Sequence, residues 1–311
     1  MRGGVSRVLA RSADATRGEV VPAPDKILWF GGLGLCAVVL GPLTFTPGAF
    51  ALFLGLTWAT LLLGHSVGMH RLLIHRSFDV PRWLERTLVY VGVLVGCAGP
   101  YGILRTHDVR DWAQREPACH PFFSHRVSLV RDLCWQLFCT FRFERPPVFV
   151  VDPAAARDRV YRFLEATWRT QQVPLAAVLY LVGGWPWVVW GVPVRIFVSV
   201  AGHWLIVHYT HTGTRGRWQI DDAGVQGVDL PGLGLVTHGE CWHNNHHAFP
   251  ESARIGLEPG QTDPGWWVIR GLDALGLVQR IGLPRPSAER EDLRELAAPA
   301  SHAGAAGRHA A

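Results

Sequence analysis

The residues with the most chemical promise are the histidines, and the densest group is His243-Asn244-Asn245-His246-His247. On a helix of about 3.6 residues per turn its three imidazoles fall near about 0°, −60° and +40° around the axis, so they share one face within one turn. Trp242 and Ala248-Phe249-Pro250 flank them. A merely solvated polar turn is the weaker explanation of three neutral nitrogen donors in that setting, and a metal half-site the stronger. A second group is His70-Arg71-Leu72-Leu73-Ile74-His75. Residues five apart stand about 140° apart on a regular helix, so this pair can reach one site only where the helix ends or bulges. A third element is His107, followed by Asp108, Arg110 and Asp111. The fourth is His203, His208 and His211, of which His208 and His211 are one turn apart and could converge. His203 lies roughly 12 Å from His211 along the axis, too far to share a metal easily, and reads at least equally well as a buried histidine bonded to a neighbouring helix.

Imidazoles suit zinc, iron, copper or nickel. The six cysteines contain no C-x-x-C pair, so they read as reduced packing residues and supply no thiolate set. A structural zinc takes four ligands, and the surplus of histidines over four segments favours a multinuclear iron site.

The elements that must position these groups are apolar. The chain has 311 residues, 49% of them hydrophobic, and a mean hydropathy of +0.14 despite 30 basic and 25 acidic residues, a combination that separates lipid-facing blocks from charged ones. No residue from Ile27 to Gly64 is charged, and Gly41-Pro42 and Pro47-Gly48 interrupt the run. A bilayer crossing takes about 20 residues, so this stretch fits two crossings joined by a turn. The run from Val173 to about Tyr209 has the same design, broken at Gly183-Gly184, Pro186, Gly191 and Pro193 and charged only at Arg195.

Arginine crowds the N-terminal stretch and the segment between the two runs, which places both termini and the histidine clusters in the cytoplasm by the positive-inside bias. The net charge of +5 also suits an anionic membrane surface, although charge by itself decides little, and nothing calls for a nucleic-acid partner. Thr87–Leu104 reads as an interfacial or re-entrant segment, because one more crossing would put the later clusters on the wrong side. Asp152-Pro153 reads as the cap and first residue of an amphipathic surface helix carrying Val160, Phe163, Leu164, Thr167 and Trp168. The expected architecture is an all-α integral membrane protein of the cytoplasmic membrane, with four transmembrane helices in two hairpins and a cytoplasmic helical cap. Its expected divisions are a cytoplasmic tail at 1–26, a membrane domain at 27–282 and a mobile tail at 283–311.

At this point the chain resembles the membrane fatty acid desaturases, specifically the acyl-CoA or stearoyl-CoA Δ9 type. The first histidine box is His70-Arg-Leu-Leu-Ile-His75-Arg-Ser-Phe, and the third is Gly239-Glu240-Cys-Trp-His243-Asn-Asn-His246-His247-Ala-Phe-Pro. Ser252-Ala-Arg-Ile-Gly-Leu-Glu-Pro-Gly-Gln261 and Gly265-Trp266-Trp267 extend the likeness, which covers roughly residues 28–280. The resemblance implies a di-iron centre held by His70, His75, His107, His211, His243, His246 and His247. The family's second box has the form His-Arg-x-His-His, and here the matching text is His107-Asp108-Val109-Arg110-Asp111. The family also carries Asn four residues before the histidine matched to His211, and here that residue is Val207.

Asp111 could replace one imidazole, since carboxylates bind iron. Arg110 brings a charge that repels a nearby cation, or points away to pair with Asp108 or Asp111. His65, His120, His203 and His208 are possible compensating ligands, and the reading leaves two irons, one or none open.

The implied reaction is O2-dependent introduction of a double bond into a fatty acyl chain, with acyl-CoA as the expected form. An unactivated methylene offers nothing to side-chain acids or bases, so the chemistry belongs to iron and O2. No haem or flavin motif is present, so the two electrons per turnover are expected from a separate ferredoxin or cytochrome b5-like protein with its reductase. Trp185, Trp187, Trp190 and Trp204 are candidates to border an acyl tunnel, with interfacial anchoring the commoner role. The alternatives are a lipid hydroxylase on the same scaffold and a degenerate lipid-binding homologue without catalysis.

Overall fold

Long apolar runs satisfy their backbone internally, and among the described residues three helices are long and apolar enough to cross a membrane: Pro24–Leu43, Pro47–Ile74 and Gln172–Thr212. The computed structural model describes residues 7–213 and 216–296. Thr46 begins the second helix, its side chain accepting from the Ala49 N–H with Pro47 at the first helical position. The third run has 41 residues, about twice what one crossing takes, and its helical path breaks at Gly184, where φ is +66° and ψ −162°. The chain is thus built for a membrane, and its lipid-type surface is visible in Leu28, Leu35, Val38, Leu43 and Leu181, all large, apolar and exposed.

Near the turns the two apolar runs are fastened by aromatic rings. Trp190 packs edge-on to Phe45, Phe50 and Phe53 with centroids 5.6–5.7 Å away, and its indole N–H donates to the Gly41 carbonyl at 3.2 Å. Arg195, the one charge in the second apolar run, is fully buried in the helix body. It donates to the Gly191 carbonyl at 2.7 Å and to the Gln172 side-chain oxygen at 3.0 Å, so the intramembrane cation is met by protein acceptors.

The Thr87–Leu104 stretch is not one element. It is split between an amphipathic helix, Arg82–Leu94, and the start of a second helix, Pro100–Arg115, with Gly96 at φ +79° in the break. The first helix lies against Thr60–Ile74 so closely that a Cβ on Gly64 would sit 2.4 Å from the Gly92 nitrogen. Glu165 caps the second, accepting from the Tyr101 and Gly102 N–H groups at 2.8 and 3.2 Å. The amphipathic helix expected after Asp152 is really two. Asp152 caps Pro153–Ala156, and Asp158 caps Arg159–Thr167, which buries Tyr161 and Leu164 in the core formed by Met69, Leu73, Val89 and Val93.

Mostly helical is the correct description, and all-α is not. Among the described residues, four antiparallel ribbons pair Val8–Leu9 with Val148–Phe149, Gly18–Pro22 with Cys139–Phe143, Phe78–Asp79 with Arg280–Ile281, and Trp218–Ile220 with Leu293–Glu295. Two of these bind the segment before Pro24 to the polar part of the chain. Buried Arg7 joins them, donating to Asp108 at 2.8 Å and to the Ile74 carbonyl at 3.0 Å. The last ribbon falls within 283–311, the stretch expected as a mobile tail. Leu293 is buried with Trp218, Ile220, Ala248 and Phe249, a burial worth about 1.5–3 kcal/mol. Residues 297–311 lie outside the described residues.

Candidate metal centre

The first histidine box solves its i, i+5 geometry by winding wide. Thr60–Ile74 is a π-helix, and the His75 N–H donates to the His70 carbonyl at 3.0 Å, closing a five-residue turn. The two imidazoles, 140° apart on an α-helix, are brought to a centroid separation of 4.8 Å. His107, carried on Pro100–Arg115, faces them with its Nε2 3.3 Å from that of His75, and His246 completes the group. One ligand atom from each of His70, His75, His107 and His246 lies within 4.8 Å of the others.

A second group contains His211, His243 and His247, again within 4.8 Å. Their facing Nε2 atoms are 3.2 Å apart for His243 and His211 and 3.0 Å for His247 and His243. The His211 Nδ1–H donates to the Val207 carbonyl at 2.7 Å, which turns its Nε2 toward the partners. The triplet that the helical wheel put on one face therefore divides. His243 and His247, four apart on the helix His243–Ala248, join the second group, and His246 crosses to the first.

That helix is short and held by its own asparagines. Asn244 donates to the Trp218 and Gly227 carbonyls at 2.8 and 2.9 Å and accepts from the Trp218 N–H, while Asn245 donates to the Ile255 carbonyl at 3.1 Å. Asp229 accepts from the Asn244 N–H at 2.8 Å, and burial pushes its carboxyl up to about 6 against the pull of the Asn244 and Asn245 N–H groups.

Burial, and after it the neighbouring imidazoles, holds His75, His243, His246 and His247 well below the ordinary histidine pKa. All four are neutral at pH 7, the state that offers lone pairs to a metal. His246 Nδ1 is buried without a hydrogen-bond partner among the described residues. Nitrogens facing each other at 3.0–3.3 Å, neutral and out of water, fit a soft-to-borderline cation between them.

The second tier was only partly visible in the sequence. Glu240 lies beside His70, its Oε2 2.6 Å from His70 Nδ1, and accepts from Ser66 Oγ at 2.5 Å. The only sequence signal for it was its place in Gly239-Glu240-Cys-Trp-His243. Arg71, between the histidines of the first box, is fully buried and forks onto Asp263 at 2.8 and 3.2 Å, tying that box to the chain after the third. His125 and His208 both donate from Nδ1 to Asp132, at 2.9 and 2.7 Å. Neither is in a metal group, so His208 does not converge with His211. His125 is fully buried in a left-handed conformation, φ +57°, with its ring 5.3 Å from that of His211.

Other candidates also stand apart. His120 caps Pro121–Ser124, accepting from the Phe122 N–H at 3.1 Å, and lies against Phe141. Asp111 comes to 3.7 Å from His107 Nδ1 but is not in the four-histidine group. His203 meets His65 at a centroid distance of 4.7 Å, and both line a cavity with His70, His107, His243 and Glu240. Phe30, Ile103, Trp204 and Val207 form apolar walls of the same cavity, so Trp204 alone of the four tryptophans singled out borders it.

The chain thus combines membrane-length apolar helices with two buried imidazole groups beside a cavity that has apolar walls. The fatty acid desaturase profile matches residues 43–257. The chain is 35% identical over 258 residues to the sn-1 stearoyl-lipid 9-desaturase of Anabaena variabilis, covering 82% of this chain and 92% of that protein. It is 31% identical over 262 residues to the sn-2 palmitoyl-lipid 9-desaturase of Nostoc sp. (strain 36), covering 82% and 89%. The acyl-CoA C20 Delta5-desaturase of Anemone leveillei matches at 31% over 269 residues, covering 83% and 81%. The chain belongs to the fatty acid desaturase family.

Proposed function

We propose that the protein is a fatty acyl desaturase whose seven histidines hold two iron ions, one on His70, His75, His107 and His246 and one on His211, His243 and His247. The observation that carries this reading is the pairing of two neutral, buried imidazole groups with an apolar-walled cavity at the ends of apolar helices. Iron bound there supplies, with O2 and two external electrons, the power to remove hydrogen from an unactivated methylene. The chain's own residues do the rest. Glu240 orients His70, the Val207 carbonyl orients His211, and the walls at Phe30, Ile103 and Trp204 keep an acyl chain dry beside the histidines. Two crossings by Gln172–Thr212, turning at Gly184, give four spans in two hairpins, with the histidines, the capping elements and both termini on the cytoplasmic side. The electrons come from a separate ferredoxin or cytochrome b5-like partner. The acyl chain arrives as a CoA ester, the form named for the Anemone relative, whereas the two cyanobacterial relatives are named for lipid-linked chains.

The test is expression in a desaturase-deficient host with gas chromatography and mass analysis of its fatty acids, beside a His246→Ala control. The expected result is an unsaturated product, two hydrogens lighter, from the wild type only. A product one oxygen heavier would make it a hydroxylase, and equal product from both forms would remove His246 from the site. Iron analysis of the purified protein should give two per chain. Absence of iron after ample supply would favour the non-catalytic reading.

A further inference from the structure

Arg110 stands where the family's second box carries a histidine, and its surroundings are unusual for a cation. The residue is 9% exposed, its Nε is buried without a hydrogen-bond partner, and no carboxylate among the described residues forms an ion pair with it within 4.0 Å. The acids that could have paired with it are engaged or turned elsewhere. Asp108 is taken by Arg7 at 2.8 Å, Glu240 by Ser66 and Arg71, and Asp111 contacts His107 instead. The guanidinium lies over the Trp204 ring, at 5.9 Å from its centroid, and borders two cavities. These are the histidine cavity and the adjoining outer pocket walled by Phe122, Phe123 and Phe141, with Trp204 at the junction. Lys26 borders the same junction, and its ammonium is spent on the Gln136 and Cys139 carbonyls at 3.2 and 2.8 Å.

A buried guanidinium is tolerated when paired and is strongly unfavourable alone, and its planar fork matches the two oxygens of a carboxylate. The neighbouring second histidine group contains only neutral donors, so a metal there would add to the excess positive charge. We infer that Arg110 is a carboxylate-binding site inside the cavity, filled by an exogenous anion at the junction between the outer pocket and the histidines. Two ligands share that chemistry: the free carboxylate of an unesterified fatty chain lying along the apolar walls, and a small carboxylate such as formate. This inference concerns the same cavity as the proposed activity, but it rests on Arg110 and not on turnover.

The experiment is calorimetric titration of the purified full-length protein in detergent with formate, palmitate, and their neutral counterparts formamide and methyl palmitate. Saturable binding of at least one carboxylate is expected, with its neutral counterpart weaker by at least about tenfold, the loss expected for a charge-assisted hydrogen bond. Binding of formate alone identifies a small co-ligand, and binding of palmitate alone identifies an unesterified chain. Arg110→Gln should abolish the preference for the acid, and Arg110→Lys, which keeps the charge without the fork, should retain part of it. Equal binding of acid and neutral counterpart by the wild type, no carboxylate binding at all, or an unchanged preference in Arg110→Gln would overturn the proposal. The wild-type comparison needs no variant, so it holds even where Arg110→Gln fails to fold. Because the readout is heat of binding, its failure leaves the double-bond assay untouched, and the reverse also holds.

Discussion

At the scale of single residues, the site is a set of imidazoles kept neutral by burial and aimed by second partners. Glu240→Gln should leave the fold intact and weaken metal retention by about 10–100-fold, measured by chelator competition, because a neutral amide holds the His70 ring less firmly. The depressed pKa values of His75, His243, His246 and His247 have a sign that can be checked. Unfolded histidine takes a proton near pH 6.5 while these folded ones do not, so the unfolded state binds more protons below that pH. The metal-free protein should therefore lose stability as pH falls from 7 to 5, most steeply below the ordinary histidine pKa of about 6.5, and thermal melts in detergent will read it. A flat profile would mean that these rings are not held neutral. All seven proposed ligands were named from the sequence: five lie in the two outer boxes, which match the family closely, and His107 and His211 came from the rest of the family's pattern. Glu240, Asp132 and His125 were not given roles, because their meaning depends on partners such as Ser66, His208 and His211 that only folding brings near.

At the scale of elements, local chemistry announced some boundaries and concealed others. Asp152-Pro153 gave its helix start directly, whereas Pro47-Gly48, read only as an interruption of the apolar run, is where a helix capped by Thr46 begins. The wide turn of Thr60–Ile74 was legible only as a demand, since two histidines five apart needed a bulge to meet, and no propensity rule writes a π-helix. The second cap at Asp158 was hidden because Arg159–Thr167 continues the apolar spacing across it. The joint between the first and third boxes is the Arg71–Asp263 fork, and Gly265 makes room for it, a Cβ there falling 2.6 Å from the guanidinium carbon. Arg71→Ala should cost about 3–5 kcal/mol by leaving Asp263 buried and unpaired. Gly265→Ala should lower the melting temperature in the same direction while keeping every metal ligand, and a melting temperature unchanged by both substitutions would show that the fork is not a structural joint.

At the scale of the whole molecule, hydropathy marked the membrane part well and the polar part poorly. The uncharged runs are long signals, whereas ribbons of two to five residues such as Val8–Leu9 and Leu293–Glu295 are too short to show periodicity and depend on strands far away in the chain. Leu293→Ala should free the last ribbon without unfolding the rest, seen as faster hydrogen exchange at Trp218–Ile220. Unaltered exchange there would show that the ribbon holds without its apolar anchor. A wider consequence follows from the helix His243–Ala248, which sends His243 and His247 one way and His246 the other. One short rod thus contributes to both nests of imidazole, so its position is shared between them. Any event that rolls that rod a few degrees, whether a mutation at its asparagine moorings or an arriving guest, disturbs both nests together and in opposite senses.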